Sequence, residues 1–188
     1  SMLIYPVVGM FLVMVIMCFI FNPIIGLINT GLSAMLTALG NSGMVWLLGL
    51  ILAGMMAIDM GGPINKAAYV FGTFMLTTAS EYMSQGASQS DPKVQLCYIS
   101  MAAVMIGGMC PPVGIAIASK LFPKKFNVTE KEGFWSNIVM GASFITEAAI
   151  PFAAADPVHV IPATFCGSAV AGLLSALFGC TLMAPHGG

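Results

Sequence analysis

Charged side chains are scarce in this sequence, and arginine is absent altogether. Only 7% of the 188 residues are charged, whereas 59% are hydrophobic. An ordinary soluble domain carries about 25% charged residues, so this chain has too few of them to cover a surface that faces water. The composition therefore excludes a soluble globular protein.

Other absences narrow the possible chemistry. The net charge is −1 and no lysine-rich stripe is present, which argues against nucleic-acid binding, because that requires positive charge to neutralise phosphates. The cysteines occur without a CxxC pair, which predicts reduced, buried thiols and no metal site. P-loop, GxSxG and HExxH motifs are missing too, and no cofactor is expected.

Long uncharged runs organise the chain. Residues 1–58 contain no Asp, Glu, Lys, Arg or His, and residues 94–119 form a second run of this kind. About 20 apolar residues cross the hydrocarbon core of a bilayer as a helix, so the first run alone has room for two spans. The pattern predicts an all-α fold, a polytopic transmembrane protein with broken helices.

Glycines, prolines and the few charges delimit the predicted elements. Helices are expected at residues 3–21, 24–39 (weakly amphipathic), 43–58, 67–78, 96–122 and 158–183. Gly107, Gly108, Pro111 and Pro112 should kink or unwind the fifth of these near Cys110. Small residues such as Gly172 should let the last helix approach its neighbours closely. An aqueous loop is predicted at residues 81–93 and a lysine-rich, cytoplasmic loop at residues 123–133.

Residues 134–155 are apolar but too short and too interrupted for two spans. They include Thr146, Glu147 and Pro151. This pattern favours a re-entrant hairpin with its tip near Thr146 and Glu147. Asp156 followed by Pro157 is a regular start signal, so Asp156 is predicted to cap the last helix.

The candidate site residues are polar groups within apolar sequence. An ionisable side chain in a membrane segment costs on the order of 3 kcal/mol, which makes each one a site hypothesis. Glu147 is the strongest, since eight uncharged residues separate it from Asp156. Its carboxylate could bind a polyhydroxylated or cationic ligand. The alternative is a structural glutamate that hydrogen-bonds a broken helix end or pairs with a lysine.

A second candidate is the interruption after residue 58, and a third is a histidine near the end of the sequence. The interruption contains Asp59, Gly61, Gly62, Asn65 and Lys66. Its glycines permit a close approach of backbone to ligand, while the asparagine and lysine offer donors. The alternative is a surface turn whose lysine extends to the headgroups. For His186, the alternative to a functional role is a solvated terminal side chain.

Four segments, in order, resemble a known family. They are residues 61–72 (GGPINKAAYVFG), residues 145–147 with 149–153 (ITE and AIPFA), residues 156–157 with 160–162 (DP and VIP) and residues 184–188 (APHGG). Together they resemble the EIIC membrane component of the fructose-specific, phosphoenolpyruvate-dependent sugar phosphotransferase system. One such segment would be weak evidence, whereas four in the family's order are specific.

The resemblance implies a multi-pass sugar permease of the bacterial inner membrane. Such a permease works as a homodimer and presents a fructose-type sugar to phosphorylated EIIB, the domain or subunit that donates the phosphoryl group. The resemblance also implies that Thr146 and Glu147 lie at the sugar site and that residues 61–66 form the other signature region. A single EIIC-type domain is expected over residues 1–188, incomplete at both ends.

The sequence departs from the family pattern at three positions. Phe144 and Ala148 stand where the family usually has glycine, and His159 stands where it often has arginine. We expect the first two to stiffen the hairpin.

The residues and the resemblance together suggest a mechanism. A carboxylate at a broken helix can accept hydrogen bonds from two sugar hydroxyls, while backbone amides and Asn65 donate. Burial would make the Glu147 carboxylate a stronger base, which could accept the proton of the hydroxyl that attacks the phosphoryl group. An ion-coupled secondary transporter of a small polar solute is the alternative function.

Overall fold

The computed structural model describes residues 4–21, 30, 31, 34, 38 and 42–186. Within these residues all regular secondary structure is helical, which confirms the predicted all-α class. The chain divides into two compact units, Ser1–Ala38 and Leu39–Gly188, and each is described by itself.

The first unit contains a helix without charged side chains. Helix α1 covers Ile4–Ile16 and continues as one π-helical turn over Met17–Phe21. This confirms the helix predicted at residues 3–21. The helix predicted at residues 24–39 falls, apart from four isolated positions, outside the described residues.

The second unit is a bundle of helices joined by short connections. Its helices are α2 (Val45–Ile58), α3 (Pro63–Ser84), α4 (Pro92–Leu121), α5 (Val128–Glu132), α6 (Phe134–Ala142), α7 (Ile150–Ala155) and α8 (Pro157–Leu177). Two 3₁₀ turns lie at Pro123–Lys125 and Thr146–Ala149. Among the described residues, α4 and α8 are long and apolar enough to cross a membrane.

The predicted loops are shorter than expected. Helix α3 begins at Pro63 and continues to Ser84, so the loop predicted at residues 81–93 is confined to residues 85–91. Helix α4 starts at its first proline because the Asp91 carboxylate accepts the N–H of Lys93 at 3.0 Å. The loop predicted at residues 123–133 holds a 3₁₀ turn and α5, and the last helix ends at Leu177 rather than at residue 183.

Glycines allow α2 and α8 to pack with their backbones in contact. A methyl group added at Gly49 would lie 2.7 Å from the carbonyl oxygen of Gly172, and one added at Gly172 would collide with Gly49 and Ala53. Ala53 and Ala176, each four residues after one of these glycines, complete a pattern of small residues on both helices. The expected close approach of the last helix is confirmed at Gly172.

Gly172→Ala should therefore lower the melting temperature of the protein in detergent, by roughly 2–10 °C. The added methyl group forces α2 and α8 apart. Gly167→Ala in the same helix is the matched control, because its nearest atom would be the Cys110 Sγ at 3.6 Å, an ordinary contact. Thermal unfolding curves measure the difference, and equal melting temperatures for the two variants would contradict the close packing.

Helix α4 is unbroken from Pro92 to Leu121, so of the two alternatives predicted near Cys110 the unwinding is wrong, and the kink stays a prediction. Proline has no N–H and so removes one backbone hydrogen bond of a helix. Hydroxyl groups from elsewhere in the fold replace the N–H donors that Pro111 and Pro112 lack. Ser168 donates to the carbonyl of Gly107, and Thr146 donates to the carbonyl of Gly108.

The five cysteines are free thiols, and Cys97 is buried. Cys110 is half-buried, and Cys18, Cys166 and Cys180 are exposed, so the prediction of burial is wrong for these three.

Candidate functional site

Asp59 lies in the interruption between α2 and α3. Its Oδ2 accepts the N–H of Ile64 at 2.7 Å and its Oδ1 accepts the N–H of Asn65 at 2.9 Å. The first N–H groups of a helix have no partner within the helix, and negative charge is favourable beside them. Asp59 thus uses both oxygens to cap α3. Residues 59–66 are called the 59–66 loop below.

Asn65 connects the 59–66 loop to the end of α2 through a hydrogen bond. Its side chain is 5% exposed, and its Nδ2 donates to the carbonyl oxygen of Met56 at 2.8 Å, in the last turn of α2. The last carbonyls of a helix also lack partners within the helix, so Asn65 satisfies one of them. Lys66 has an exposed side chain beside it. The asparagine shapes the loop, and the lysine is accessible to a ligand.

The predicted hairpin tip is a turn between two short helices. Helix α6 ends at Ala142, the 3₁₀ turn occupies Thr146–Ala149, and α7 follows at once. Residues 143–149 are called the Glu147 turn. Thr146 is 3% exposed, with its Oγ1 donating to the carbonyl of Gly108 at 2.8 Å. A turn therefore lies where the hairpin tip was predicted, and the re-entrant hairpin itself stays a prediction.

Glu147 itself is exposed, so the burial expected for its carboxylate is wrong. The reason is the geometry of the turn, in which Thr146 and Ala149 occupy the buried positions. The carboxylate instead lies beside the 59–66 loop. A methyl group added at Gly61 would be 2.7 Å from the Glu147 Oε1.

The two glycines of the 59–66 loop meet different structural requirements. Gly61 has φ +112°, a backbone conformation that side chains disfavour, and it faces Glu147. Gly62 is extended, but a methyl group there would lie 2.5 Å from the Asp59 Oδ2 and would displace the cap. Together they let the loop fold onto its own cap and against the Glu147 turn.

Two larger residues in this region adopt the left-handed conformation. Met60 has φ +43° and Phe144 has φ +61°. Met60 is buried with Ile115 and Ala149, and the Phe144 ring centroid lies 6.0 Å from that of Tyr69. Packing therefore compensates a conformation that glycine adopts without strain.

Asp156 caps α8, as predicted. Its Oδ1 accepts the N–H of His159 at 3.4 Å, and the His159 Nδ1 lies 2.9 Å from both carboxylate oxygens. The hydrogen bond from His159 lowers the pKa of Asp156. A groove of about 550 Å³ opens here, with Lys125, Glu130, Asp156 and His159 as its charged or titratable lining. Its floor is apolar, and Glu147 is not part of its lining.

The segment that leads to His186 is anchored on α4 at Leu182. The N–H of Leu182 donates to the carbonyl of Tyr98 at 3.1 Å. Tyr98 precedes Gly108 by ten residues of α4, which is about 15 Å along the helix axis. Through the close approach of Gly61 to Glu147, the structure brings together these predicted site residues: Asp59, Gly61, Gly62, Asn65, Lys66, Thr146 and Glu147.

Sequence reasoning missed the part that α4 plays in this region. Gly108 accepts the Thr146 hydroxyl and leaves room for the Phe144 ring. The available signal was the spacing of four residues between Gly108 and Pro112, which marks a carbonyl without its helical donor.

Comparison with known proteins supplies the family. The model for the phosphotransferase system EIIC family matches residues 1–167. The chain is 46% identical to the fructose permease IIC component of Bacillus amyloliquefaciens over 99% of this chain and 55% of that protein. It is also 46% identical to the fructose-specific EIIABC component of Bacillus subtilis, over 99% of this chain and 26% of that protein.

A relative of lower identity is also named as fructose-specific. The fructose-specific EIIB'BC component of Escherichia coli is 40% identical over 99% of this chain and 30% of its own length. The chain spans about half the length of the permease IIC relative and about a quarter of EIIABC. No solved structure matches the chain. The matches over residues 1–167 and over nearly the whole chain show that it belongs to the EIIC family of the phosphotransferase system.

Proposed function

We propose that this chain is the sugar-translocating part of a fructose-type phosphotransferase permease. It binds the sugar between the 59–66 loop and the Glu147 turn and presents it to phosphorylated EIIB. The observation that carries the proposal is the contact between Gly61 and the Glu147 carboxylate, which joins two motifs far apart in the sequence. The names of the relatives, fructose-specific and with EIIB joined to EIIC, support the sugar class and the partner.

The contacts suggest a division of roles within the site. The Glu147 carboxylate is exposed and can accept hydrogen bonds from sugar hydroxyls, while Lys66 and the backbone N–H groups beside it can donate. Asp59, Asn65 and Thr146 already bond to backbone groups, so we assign them the shaping of the site. His186 remains a predicted contact of the sugar.

The transferred group comes from EIIB, and Glu147 is placed to assist. A sugar hydroxyl attacks the phosphorus of phosphorylated EIIB, its O–H bond breaks as the O–P bond forms, and EIIB leaves without the phosphoryl group. Glu147 accepts the hydroxyl proton as general base. This role requires the carboxylate to lie within hydrogen-bond distance of the attacking hydroxyl.

The same proposal includes a multi-pass arrangement in the bacterial inner membrane. Helices α4 and α8 span it, whereas α6 and α7, of 9 and 6 residues, are too short to do so and form a re-entrant hairpin. Lys120, Lys124, Lys125 and Lys131 place the connection after α4 on the cytoplasmic side. A homodimer follows from the family resemblance.

Vesicle transport tests the function. Membrane vesicles that contain the protein are supplied with labelled fructose on one side and phosphorylated EIIB on the cytoplasmic side. We expect labelled sugar phosphate to accumulate on the side of EIIB, and none when EIIB is not phosphorylated. Accumulation of free sugar that depends on an ion gradient would overturn the proposal in favour of a secondary transporter.

A further inference from the structure

Two prolines release two carbonyl groups in the middle of α4. The N–H of each helical residue normally bonds the carbonyl four residues earlier, and proline has no N–H. Pro111 therefore leaves the carbonyl of Gly107 without its helical donor, and Pro112 does the same for Gly108. Both glycines are buried, where water cannot supply the missing donor.

Each released carbonyl has a hydroxyl partner from a different element. The Ser168 Oγ, on α8, donates to Gly107 at 2.9 Å, and the Thr146 Oγ1, in the Glu147 turn, donates to Gly108 at 2.8 Å. Ser168 is 0% exposed and Thr146 is 3% exposed. Both bonds are therefore protected from competition with water.

The two glycines leave room for neighbouring elements to pack against α4. A methyl group at Gly108 would lie 2.9 Å from the Thr146 Oγ1 and would collide with the Phe144 ring. A methyl group at Gly107 would lie 2.5 Å from the Cα of Ala53 in α2. At Gly108 the glycine thus admits the Glu147 turn, which its own carbonyl holds through Thr146, whereas at Gly107 the glycine admits α2 and its carbonyl holds α8.

We propose that Thr146 and Ser168 are positioning residues, whose hydroxyls use the carbonyls released by Pro112 and Pro111 to fix the Glu147 turn and α8 on α4. Thr146 is adjacent to Glu147, so its bond sets where the carboxylate stands against Gly61. The positioning role rests on the proposed function of Glu147. The pairing of each hydroxyl with one proline does not depend on the proposed function.

Pair-selective rescue tests the pairing. Thr146→Val keeps the side-chain shape and removes the hydroxyl that donates to Gly108. Ser168→Ala removes the hydroxyl that donates to Gly107. Pro112→Ala returns an N–H to Gly108, so it should restore the melting temperature lost in Thr146→Val and leave the Ser168→Ala loss unchanged. Pro111→Ala should restore the melting temperature lost in Ser168→Ala and leave the Thr146→Val loss unchanged. Rescue without this selectivity, or no rescue by either alanine, overturns the pairing.

Fructose affinity tests the positioning role in the same variants. We expect Thr146→Val to weaken binding about tenfold, Thr146→Ser to bind like the original protein, and the Thr146→Val, Pro112→Ala double variant to recover most of the loss. Unchanged affinity in Thr146→Val overturns positioning. If the original protein binds no fructose, the proposed function and the positioning role fall together, while the melting temperatures still decide the pairing.

Discussion

Glu147→Gln should weaken fructose binding by about 10- to 100-fold. A hydrogen bond to a charged acceptor contributes about 1.5–3 kcal/mol, and each 1.4 kcal/mol is a factor of ten in affinity. Glutamine keeps the size of the side chain, but it removes the charge and replaces one acceptor oxygen with a donor. Titration of the purified protein with labelled fructose measures the change.

Glu132→Gln is the matched control, because Glu132 is also an exposed glutamate and ends the short helix α5. We expect its fructose affinity to stay within about twofold of the original, since an exposed charge outside the site contributes little. Equal affinities in the two variants would show that the Glu147 carboxylate does not bind the sugar.

The rate of phosphoryl transfer separates binding from base catalysis. At saturating fructose, loss of a general base lowers the single-turnover rate by typically 10²–10⁴-fold. A Glu147→Gln variant that binds weakly but transfers at the normal rate once saturated would leave Glu147 as a binding residue only. Both quantities come from the same protein preparation with phosphorylated EIIB in excess.

Helix starts were predictable because each is encoded locally. Asp91 and Asp156 each precede a proline and accept an N–H from the first turn of the following helix. The end of α3 was not predictable in the same way. Its last turns are polar, and the hydroxyls of Thr77, Thr78 and Ser80 bond to carbonyls four residues earlier, so the helix accommodates side chains that are typical of a loop.

The site was predictable as a set of residues and only partly as an arrangement. The scarcity of charge singled out Glu147 and the 59–66 loop, and the family resemblance joined them. The cap by Asp59 reaches five and six residues along the chain, which no helix-start pattern describes. The exposure of Glu147 depends on which residues of the turn face α4, and this is decided by a tertiary contact, Thr146 on Gly108.

Gly61→Ala should lower the rate of fructose phosphorylation by about 100-fold. The new methyl group would stand 2.7 Å from the Glu147 Oε1, so the carboxylate has to move, and a displacement of about 1 Å at a reacting group can cost this much. The substitution also strains the backbone, since Gly61 has φ +112°. Uptake of labelled fructose as its phosphate ester measures the loss.

Gly86→Ala separates the collision from the strain. Gly86 has φ +94° in the connection between α3 and α4, and a methyl group there would meet no atom within 4 Å. It should lower stability with little change in transport, because only the backbone effect remains. In a Glu147→Ala background, Gly61→Ala should cost much less than it does alone, since the group that it displaces has gone. Fully additive losses would mean that Gly61 and Glu147 do not meet in the active protein.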